Sequence, residues 1–369
     1  MELNAENVVG YLRESGRVSA VGEVLVQELS APDGKGRGRV FKIFDTAGGE
    51  RVGSDLRSAA QVKAGKEDTR MTEGVCFVIK QSPAVGTEKA CMEVLVELLP
   101  EGSVARVLWM DEGNGVLAMS SAPAAAMTWK KQLSTGGTTL EVATHAGMLL
   151  AMMHSSTKRD VAVKERFGDG KAFSQARLEP VILAAVGKNQ GLAKMLQDAM
   201  LRARTPMCLI HGEFVPGNIV LAPPAVSAGA EVTAGSKGFE LSHLMLVDFD
   251  TAYFGHCGFD VASLVAELLL VGFVRDGRWR AMMMMADNFW QTYKHTADPD
   301  LVRAAEVAGG RLLAAIMLGR VDGLRPVEGI LEKRGAAERV RKLAAEILRK
   351  NNMSLDEAID AASMHYDVE

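Results

Sequence analysis

Four acidic or amide side chains lie at spacings that suit phosphoryl transfer. Glu213 is followed five residues later by Asn218, and both belong to the stretch 209–219, which reads Leu-Ile-His-Gly-Glu-Phe-Val-Pro-Gly-Asn-Ile. Asp248 comes thirty residues after Asn218, and Asp260 follows twelve residues later. Phosphoryl transfer needs a carboxylate near the attacking hydroxyl and oxygen ligands for Mg²⁺ at the phosphates. The pattern therefore predicts a magnesium-dependent phosphoryl-transfer site.

Short apolar runs are expected to hold these side chains at strand ends. Strand-like runs cover 207–210, 219–221 and 244–249, beside the candidate residues. Between the last two runs lies 222–238, which is rich in Ala, Gly, Pro and Ser. We interpret it as a hairpin insertion without a chemical role.

The first third of the chain differs from the rest. From 21 to 119 the signals are strands and turns, including a continuous apolar run at 75–79, a helical period at 88–99 and a hairpin signature at 111–114. The rest is mainly helical, with predicted helices at 140–154, 179–204, 261–273, 279–294, 301–317, 336–349 and 354–364. A β-rich part followed by a helical part predicts two lobes with a cleft between them. Nucleotides commonly bind in such a cleft.

Composition excludes several classes of protein. The chain has 369 residues and a net charge of −4, which suits two domains or lobes and argues against a dedicated nucleic-acid binder. Its four cysteines form no Cys-x-x-Cys pair, so we expect a reducing compartment without disulfides or zinc. The acidic N-terminus is no secretory signal, and the apolar stretch 261–274 is too short to span a membrane. We expect a cytoplasmic protein without nucleic-acid or membrane partners.

The C-terminal motifs resemble those of a known superfamily. The stretch 209–219, a strand ending at Asp248 and a helix opening at Asp260 resemble the aminoglycoside phosphotransferases and choline kinases, whose fold is protein-kinase-like. Within that superfamily, 248–260 is similar to 5-methylthioribose kinases and about as similar to fungal-type phosphotransferases. Protein kinases themselves are disfavoured because the H-R-D, D-F-G and A-P-E set is missing.

This resemblance implies a fold and a division of the chain. It implies an α+β, bilobal fold with a small β-rich N-lobe at 1–121 and a larger, mainly helical C-lobe at 122–369. The cofactors it implies are ATP and Mg²⁺, and the partner is a small-molecule acceptor. A homodimer is compatible with the sequence.

The resemblance also implies roles for five C-lobe residues. Asn218 and Asp248 would be Mg²⁺ ligands, and Asp250 would lie beside a second metal or the substrate. His211 and Asp260 would hold the catalytic loop in shape and take no part in the chemistry.

In the N-lobe, Lys80 ends an apolar strand similar to the kinase strand whose lysine contacts the α- and β-phosphates. By resemblance, its partner should be Glu93 on the following helix, with Glu97 and Glu88 as alternatives.

Two further segments are candidates for nucleotide contacts. Gly36 and Gly38 lie in a glycine-rich stretch at 34–38, where a phosphate-covering loop would be, although a plain turn is equally consistent with it. Ser120 and Ser121 fall where an adenine-contacting hinge would lie.

Glu213 departs from the family pattern, which has Asp at the catalytic position. Glutamate keeps the charge but moves the carboxylate by more than ~1 Å, and such a displacement can cost about 10²-fold in rate. Two hypotheses follow: a small-molecule kinase in which Glu213 accepts or orients the hydroxyl, and a pseudokinase that binds nucleotide with impaired catalysis.

The acceptor is less well determined by the sequence. Arg177 and Arg320 resemble arginines near family pocket segments, although surface or structural roles are more common for such residues. The resemblance favours a methylthioribose-like sugar, but methylthioribose kinases usually have Ser where this chain has Asn218. Amino-alcohols, aminoglycosides and other sugars therefore stay open.

Overall fold

A computed structural model of the protein describes residues 1–20, 22–29, 38–46, 75–123, 125–222, 244–350 and 352–366. Gly36 and nearly all of the predicted insertion at 222–238 lie outside these ranges. In the described part of the chain, no helix is both long enough and apolar enough to cross a membrane.

An antiparallel five-stranded sheet dominates the N-terminal part, in the order β1-β2-β3-β5-β4. Its strands are β1 (Val24–Glu28), β2 (Arg39–Asp45), β3 (Val75–Gln81), β4 (Val107–Asp111) and β5 (Val116–Ser120). The hairpin predicted around 111–114 is confirmed, since β4 pairs with β5. Gly115 closes this turn at a φ of 61°, which glycine adopts at little cost.

The two faces of this sheet are covered differently. In β3, Phe77 and Ile79 face a small core that includes Leu12 of helix α1 (Val8–Glu14), a short helix that the sequence reading missed. Side chains alternate along a strand, so Lys80 points to the opposite face, towards helix α2 (Val85–Leu98) and the helical part of the chain.

The rest of the chain is mainly helical. Its helices are α3 (Trp129–Ser134), α4 (Leu140–Ser156), α5 (Val161–Phe167), α6 (Lys171–Phe173), α7 (Ala184–Val186), α8 (Ala193–Ala203), α9 (Gly258–Val274), α10 (Trp279–Thr296), α11 (Pro299–Asp322), α12 (Ala336–Arg349) and α13 (Leu355–Ala362). Helix α9 packs against α10 and α11, and all of its residues are buried except Glu267, Val271 and Val274. This burial explains why its sequence is an almost unbroken apolar run.

The single helix predicted at 179–204 is wrong. A π-helix at Ser174–Leu183, α7, a 3₁₀ turn at 190–192 and α8 occupy the region instead. Pro180 lies inside the π-helix, and a proline has no N–H to continue a regular α-helical ladder. Gly187 and Gly191 lie between the later pieces, where glycine weakens a helix.

Two small sheets carry the loops that hold the motif residues. One pairs β7 (Cys208–Ile210) with β10 (Tyr253–Gly255), and the other has the order β6-β8-β9, where β6 is Met127–Thr128, β8 is Ile219–Leu221 and β9 is Leu244–Leu246. The three strands predicted here are therefore confirmed, with 244–249 ending at Leu246. The motif residues at 211–218 and 247–250 follow directly from β7 and β9.

Candidate active site

Asp260 holds the loop that follows β7. Its Oδ2 accepts a hydrogen bond from the backbone N–H of His211 at 2.6 Å, and its Oδ1 accepts one from Gly212 at 3.0 Å. Gly212 has a φ of 79°, and a Cβ at this position would lie 2.3 Å from the carbonyl oxygen of Thr251. Only glycine fits this turn without moving the backbone.

A buried histidine from another helix also contacts Asp260. His154, near the end of α4, has its Nε2 3.3 Å from Asp260 Oδ2 and its Nδ1 2.9 Å from the Tyr293 hydroxyl. His154 was not among the candidate residues predicted from the sequence. The sequence feature that could have identified His154 is its position at the end of the apolar segment 146–154, which resembles the family helix ahead of the catalytic loop.

His211 is fully buried and joins two loops. Its Nε2 donates to the Val247 carbonyl at 3.0 Å, and its Nδ1 accepts from the backbone N–H of Glu213 at 3.4 Å. Burial lowers the pKa of His211, so the ring is neutral at pH 7. The contacts connect the end of β9 to the loop after β7, which is a positioning arrangement.

The Glu213 carboxylate forms an ion pair with Arg177 of the π-helix. Arg177 is buried, and its guanidinium lies 3.9 Å from Asp250 Oδ1 and 3.4 Å from the Thr251 hydroxyl. Burial raises the pKa of Glu213, and Asp248 and Asp250 act in the same direction, whereas Arg177 opposes them. Arg177, predicted as a substrate residue, therefore lies directly against the candidate catalytic acid.

Asn218, Asp248 and Asp250 present a set of oxygens beside this pair. The Asn218 amide nitrogen donates to the Glu213 carbonyl at 3.0 Å, which orients the amide within the loop. Asp248 has a φ of 71°, an uncommon backbone conformation for a residue other than glycine and one often found at functional sites. Asp250 is 2% exposed, and its Oδ1 accepts no hydrogen bond from a described residue.

This donor set fits a magnesium ion. No group of three or more His, Cys, Asp or Glu side chains in the described ranges could hold a metal by itself. Mg²⁺, however, is commonly bound through one or two carboxylates with water and substrate phosphates completing its shell. Asp248, Asp250 and the amide oxygen of Asn218 would supply the protein's share, and the unsatisfied Asp250 Oδ1 is the atom that most requires a partner.

Lys80 connects strand β3 to these candidate metal ligands. Its ammonium contacts Asp248, lies 2.7 Å from Glu88 and 3.8 Å from Asp250, and is 5% exposed. Burial by itself would lower the pKa of Lys80, but the three carboxylates outweigh it and raise the pKa. The lysine is therefore charged, and it lies where phosphate oxygens would approach the candidate metal ligands.

The predicted partner of Lys80 is wrong: the ion pair is made by Glu88, not by Glu93. Glu88 lies in the first turn of α2 and is 2% exposed. Glu93 pairs with Lys89 at 2.6 Å and Arg166 at 2.7 Å instead. Five residues at about 100° each rotate Glu93 by about 140° around the helix from Glu88. The spacing of Glu88 to the buried residues of α2, at 85, 91, 92 and 95, was the signal that identifies the inward acid.

The remaining N-terminal candidates are described in part. The Ser120 hydroxyl oxygen accepts from the Arg106 backbone at 2.9 Å, and the Ser121 hydroxyl donates to the Ala122 carbonyl at 2.8 Å. Ser120 is the last residue of β5 and Ser121 follows it directly. Gly38 lies against β3, since a Cβ there would be 2.6 Å from the Gln81 carbonyl oxygen. Their contacts with a nucleotide stay predictions.

A cavity of about 320 Å³ opens beside Glu213 and Asn218. Helices α3, α9 and α11, the π-helix and the loop 212–218 form its walls. Arg320 lines it, as expected of an acceptor-pocket residue, and its Nε donates to Glu267 at 2.6 Å. The cavity thus joins Arg177 and Arg320 to the candidate catalytic loop.

Comparison with protein families gives one match. Residues 72–228 match the phosphotransferase enzyme family. The match includes Lys80, Glu88, Glu213 and Asn218, and the superfamily predicted from the motifs is confirmed, whereas the nearer likeness to methylthioribose kinases stays a prediction. A comparison with curated protein sequences gives no significant match.

Solved kinase structures are among those similar to this chain. An amicoumacin kinase in complex with AMP-PNP and Ca²⁺ is 12% identical, covers 95% of this chain and 97% of its own, and has a TM-score of 0.51. A Plasmodium vivax ethanolamine kinase is 10% identical, with coverages of 98% and 89% and a TM-score of 0.48. A Streptococcus pneumoniae choline kinase is 12% identical, with coverages of 93% and 98% and a TM-score of 0.46. The predicted α+β, bilobal, protein-kinase-like fold is confirmed.

Proposed function

We propose that this protein is an ATP- and Mg²⁺-dependent phosphotransferase that phosphorylates a hydroxyl group of a small metabolite. One observation carries the proposal: Lys80 of the sheet contacts Asp248, 168 residues away, in a cleft that also contains Asn218, Asp250 and Glu213. These are the groups that phosphoryl transfer requires, a phosphate-binding cation, oxygen ligands for a metal and a carboxylate for the hydroxyl. The match of residues 72–228 to the phosphotransferase enzyme family supports it.

Each residue has a defined part in this proposal. Lys80, held by Glu88, binds phosphate oxygens of the nucleotide, and Asn218, Asp248 and Asp250 hold Mg²⁺, which neutralises charge on the phosphates when bound. The acceptor oxygen bonds to the γ-phosphorus while the bond to the β,γ-bridging oxygen breaks, and the hydroxyl proton passes to Glu213. The division into an N-lobe at 1–121 and a C-lobe at 122–369 is part of the proposal.

Replacement of Asp248 tests the metal role. Asp248→Ala is expected to lose the Mg²⁺-dependent part of the thermal stabilisation by the non-hydrolysable nucleotide AMP-PNP, because a metal-ligating carboxylate is missing. The measurement is melting temperature with nucleotide, with and without Mg²⁺. Asp276→Ala, at an exposed position outside the cleft, is the control and should behave as the wild type. An unchanged Mg²⁺-dependent shift in Asp248→Ala removes Asp248 from the metal site.

A pseudokinase is the second candidate, and the ion pair between Arg177 and Glu213 favours it. Burial raises the pKa of Glu213, but the Arg177 guanidinium opposes this and contacts a carboxylate oxygen that would otherwise accept the hydroxyl proton. In this case the protein binds nucleotide but transfers little phosphate.

The activity of a variant with a shorter acidic side chain distinguishes the kinase from the pseudokinase. The kinase proposal predicts ATP consumption by the wild type with at least one member of a panel of hydroxylated sugars, amino-alcohols and hydroxy acids. Glu213→Asp should then change the rate by about tenfold or more, since the carboxylate moves by about 1 Å relative to the acceptor. Glu97→Asp, the same change at an exposed position of α2, is the control. A silent wild type beside an active Glu213→Asp variant contradicts the kinase proposal and supports the pseudokinase.

A further inference from the structure

The cavity beside Glu213 contains an excess of positive charge. Its cationic lining residues are Lys130, Arg177, Arg275, Arg320 and Arg325. Its acidic lining residues are Glu213, Glu267 and Glu328. The described lining therefore has five cations and three carboxylates, the opposite of what a cationic acceptor requires.

The excess of positive charge remains when the ion pairs within the cavity are taken into account. Arg177 pairs with Glu213, and Arg320 pairs with Glu267 at 2.6 Å, so two cations and two acids neutralise each other. The other three cations have no ion pair with any residue that the structure describes; Lys130 and Arg275 are exposed and Arg325 is half-buried, and the remaining acid is the exposed Glu328. The cations left over are thus available to an anionic group.

The aromatic lining gives no support to a cationic ligand either. Phe259 is the aromatic residue among the described lining, and it is 4% exposed with its ring packed edge-to-face on Phe173 at 4.8 Å. Recognition of a quaternary ammonium depends on open aromatic faces around the charge. The cavity therefore lacks, in its described walls, both free buried acids and an aromatic cage.

The distance along helix α9 from the catalytic loop to Glu267 indicates how long the acceptor is. It begins beside the catalytic loop, where Asp260 binds the backbone of His211, and Glu267 follows seven residues later. At a rise of 1.5 Å per residue, the ion pair of Glu267 with Arg320 lies about 10 Å further along the helix. Arg320 also donates to the Arg325 carbonyl at 2.7 Å, so Arg325 belongs to this far end.

Part of the cavity wall is apolar. Ile316, one turn before Arg320 on α11, and the π-helix residues Val181 and Ile182 line it, whereas the α9 lining residue between Phe259 and Glu267 is Ser263. Such a wall suits carbon and methyl groups better than a densely hydroxylated surface.

We propose that the acceptor is a hydroxylated acid: a compound with a hydroxyl at one end, an apolar middle and a carboxylate or phosphate about 10 Å away that binds Arg325. The inference rests on the proposed phosphotransferase function and specifies its substrate class. It disfavours the aminoglycoside and amino-alcohol acceptors that the sequence left open.

Matched pairs of compounds test the charge requirement. Pantothenate and panthenol differ in one carboxylate, as do 8-hydroxyoctanoate and 1,8-octanediol, and 8-hydroxyoctyl phosphate has a phosphate at the same end; kanamycin and ethanolamine are the cationic arm. We expect kcat/KM, and thermal stabilisation by the compound alone, to be higher for the anionic member of a pair. The carboxylate and phosphate arms then show which anionic group the pocket takes.

The variant Arg325→Gln tests whether Arg325 is the residue that binds the anionic group. A charge-assisted hydrogen bond to an anion contributes about ten- to hundredfold in affinity, so the variant should raise KM for the anionic member by that factor and remove its advantage over the neutral member. Arg349→Gln, an exposed arginine of α12 outside the cavity, is the control.

The outcomes distinguish this inference from the proposed function. Transfer to kanamycin, ethanolamine or the neutral members at equal or higher kcat/KM overturns the hydroxy-acid proposal and keeps the kinase. Absence of transfer to every compound, with selective stabilisation by the anions that Arg325→Gln removes, contradicts the kinase and keeps the anion site. Absence of anion-selective binding and transfer in all arms overturns the proposal.

Discussion

At the scale of single residues, the candidate site depends on one turn. Gly212 lies between β7 and Glu213, adopts a φ of 79° and has the Thr251 carbonyl where a Cβ would lie. Asp260 fixes the same turn through two backbone N–H groups. The carboxylate of Glu213 is therefore positioned by backbone geometry as much as by its partner Arg177.

Gly212→Ala should be more destabilising than an alanine at another left-handed glycine. A non-glycine residue in this conformation costs about 1–2 kcal/mol, and here the new Cβ would also meet Thr251 at 2.3 Å. Urea unfolding is the measurement. Gly277→Ala is the matched control, because Gly277 has a φ of 67° and no atom within 4 Å of a Cβ. Equal losses of unfolding free energy in the two variants would show that the Thr251 contact does not constrain the turn.

At the scale of secondary-structure elements, ion pairs connect the helices behind the cavity. Asp322 at the end of α11 is 4% exposed and accepts from Arg341 of α12 at 2.8 Å and from Asn189 at 2.9 Å. Burial by itself would raise the pKa of Asp322, but these donors outweigh it and lower the pKa. The contact holds α12 against the helix that carries Arg320.

Arg341→Gln is expected to destabilise the protein at neutral pH by about 1–3 kcal/mol, because a carboxylate buried behind α12 loses its charged donor. A group with a lowered folded-state pKa stabilises the protein above its unfolded pKa, and the effect is lost as pH falls through the folded value. The difference between wild type and variant should therefore shrink below about pH 4. Denaturant unfolding at several pH values measures it, with Lys342→Gln on the exposed side of α12 as control. A difference that is constant with pH would exclude Asp322 as its source.

At the scale of the whole molecule, the sequence was most informative where chemistry and regular structure coincide. Asn218 directly precedes the short apolar strand β8 and Asp248 follows β9, so both their type and their position could be predicted, and the structure brings them together with Lys80. The fold class followed from the same motifs. Where regular structure ends, prediction failed: helix α1 has only seven residues, and the region of Pro180 has no repeating period.

Two side-chain pairings were not predicted, for different reasons. Choosing Glu93 instead of Glu88 followed a motif resemblance and ignored the phase of α2, on which the inward face depends. The pairing of Arg177 with Glu213 joins elements 36 residues apart through a π-helix, and no local pattern specifies it. Contacts of this kind arise from tertiary packing, which a single sequence does not encode in readable spacing.

Because Ser174–Leu183 is a π-helix, the number of residues in this segment determines where Arg177 lies relative to Glu213. A π-helix bonds each residue to the fifth along and is typically an insertion into an α-helical segment at a functional site. Removing one residue after Arg177 would return the segment towards α-helical spacing and turn Arg177 by about 100° about the axis relative to α8. The guanidinium would then face away from Glu213. Two relatives with the same catalytic loop can therefore differ in how their acid is held through the length of this segment alone.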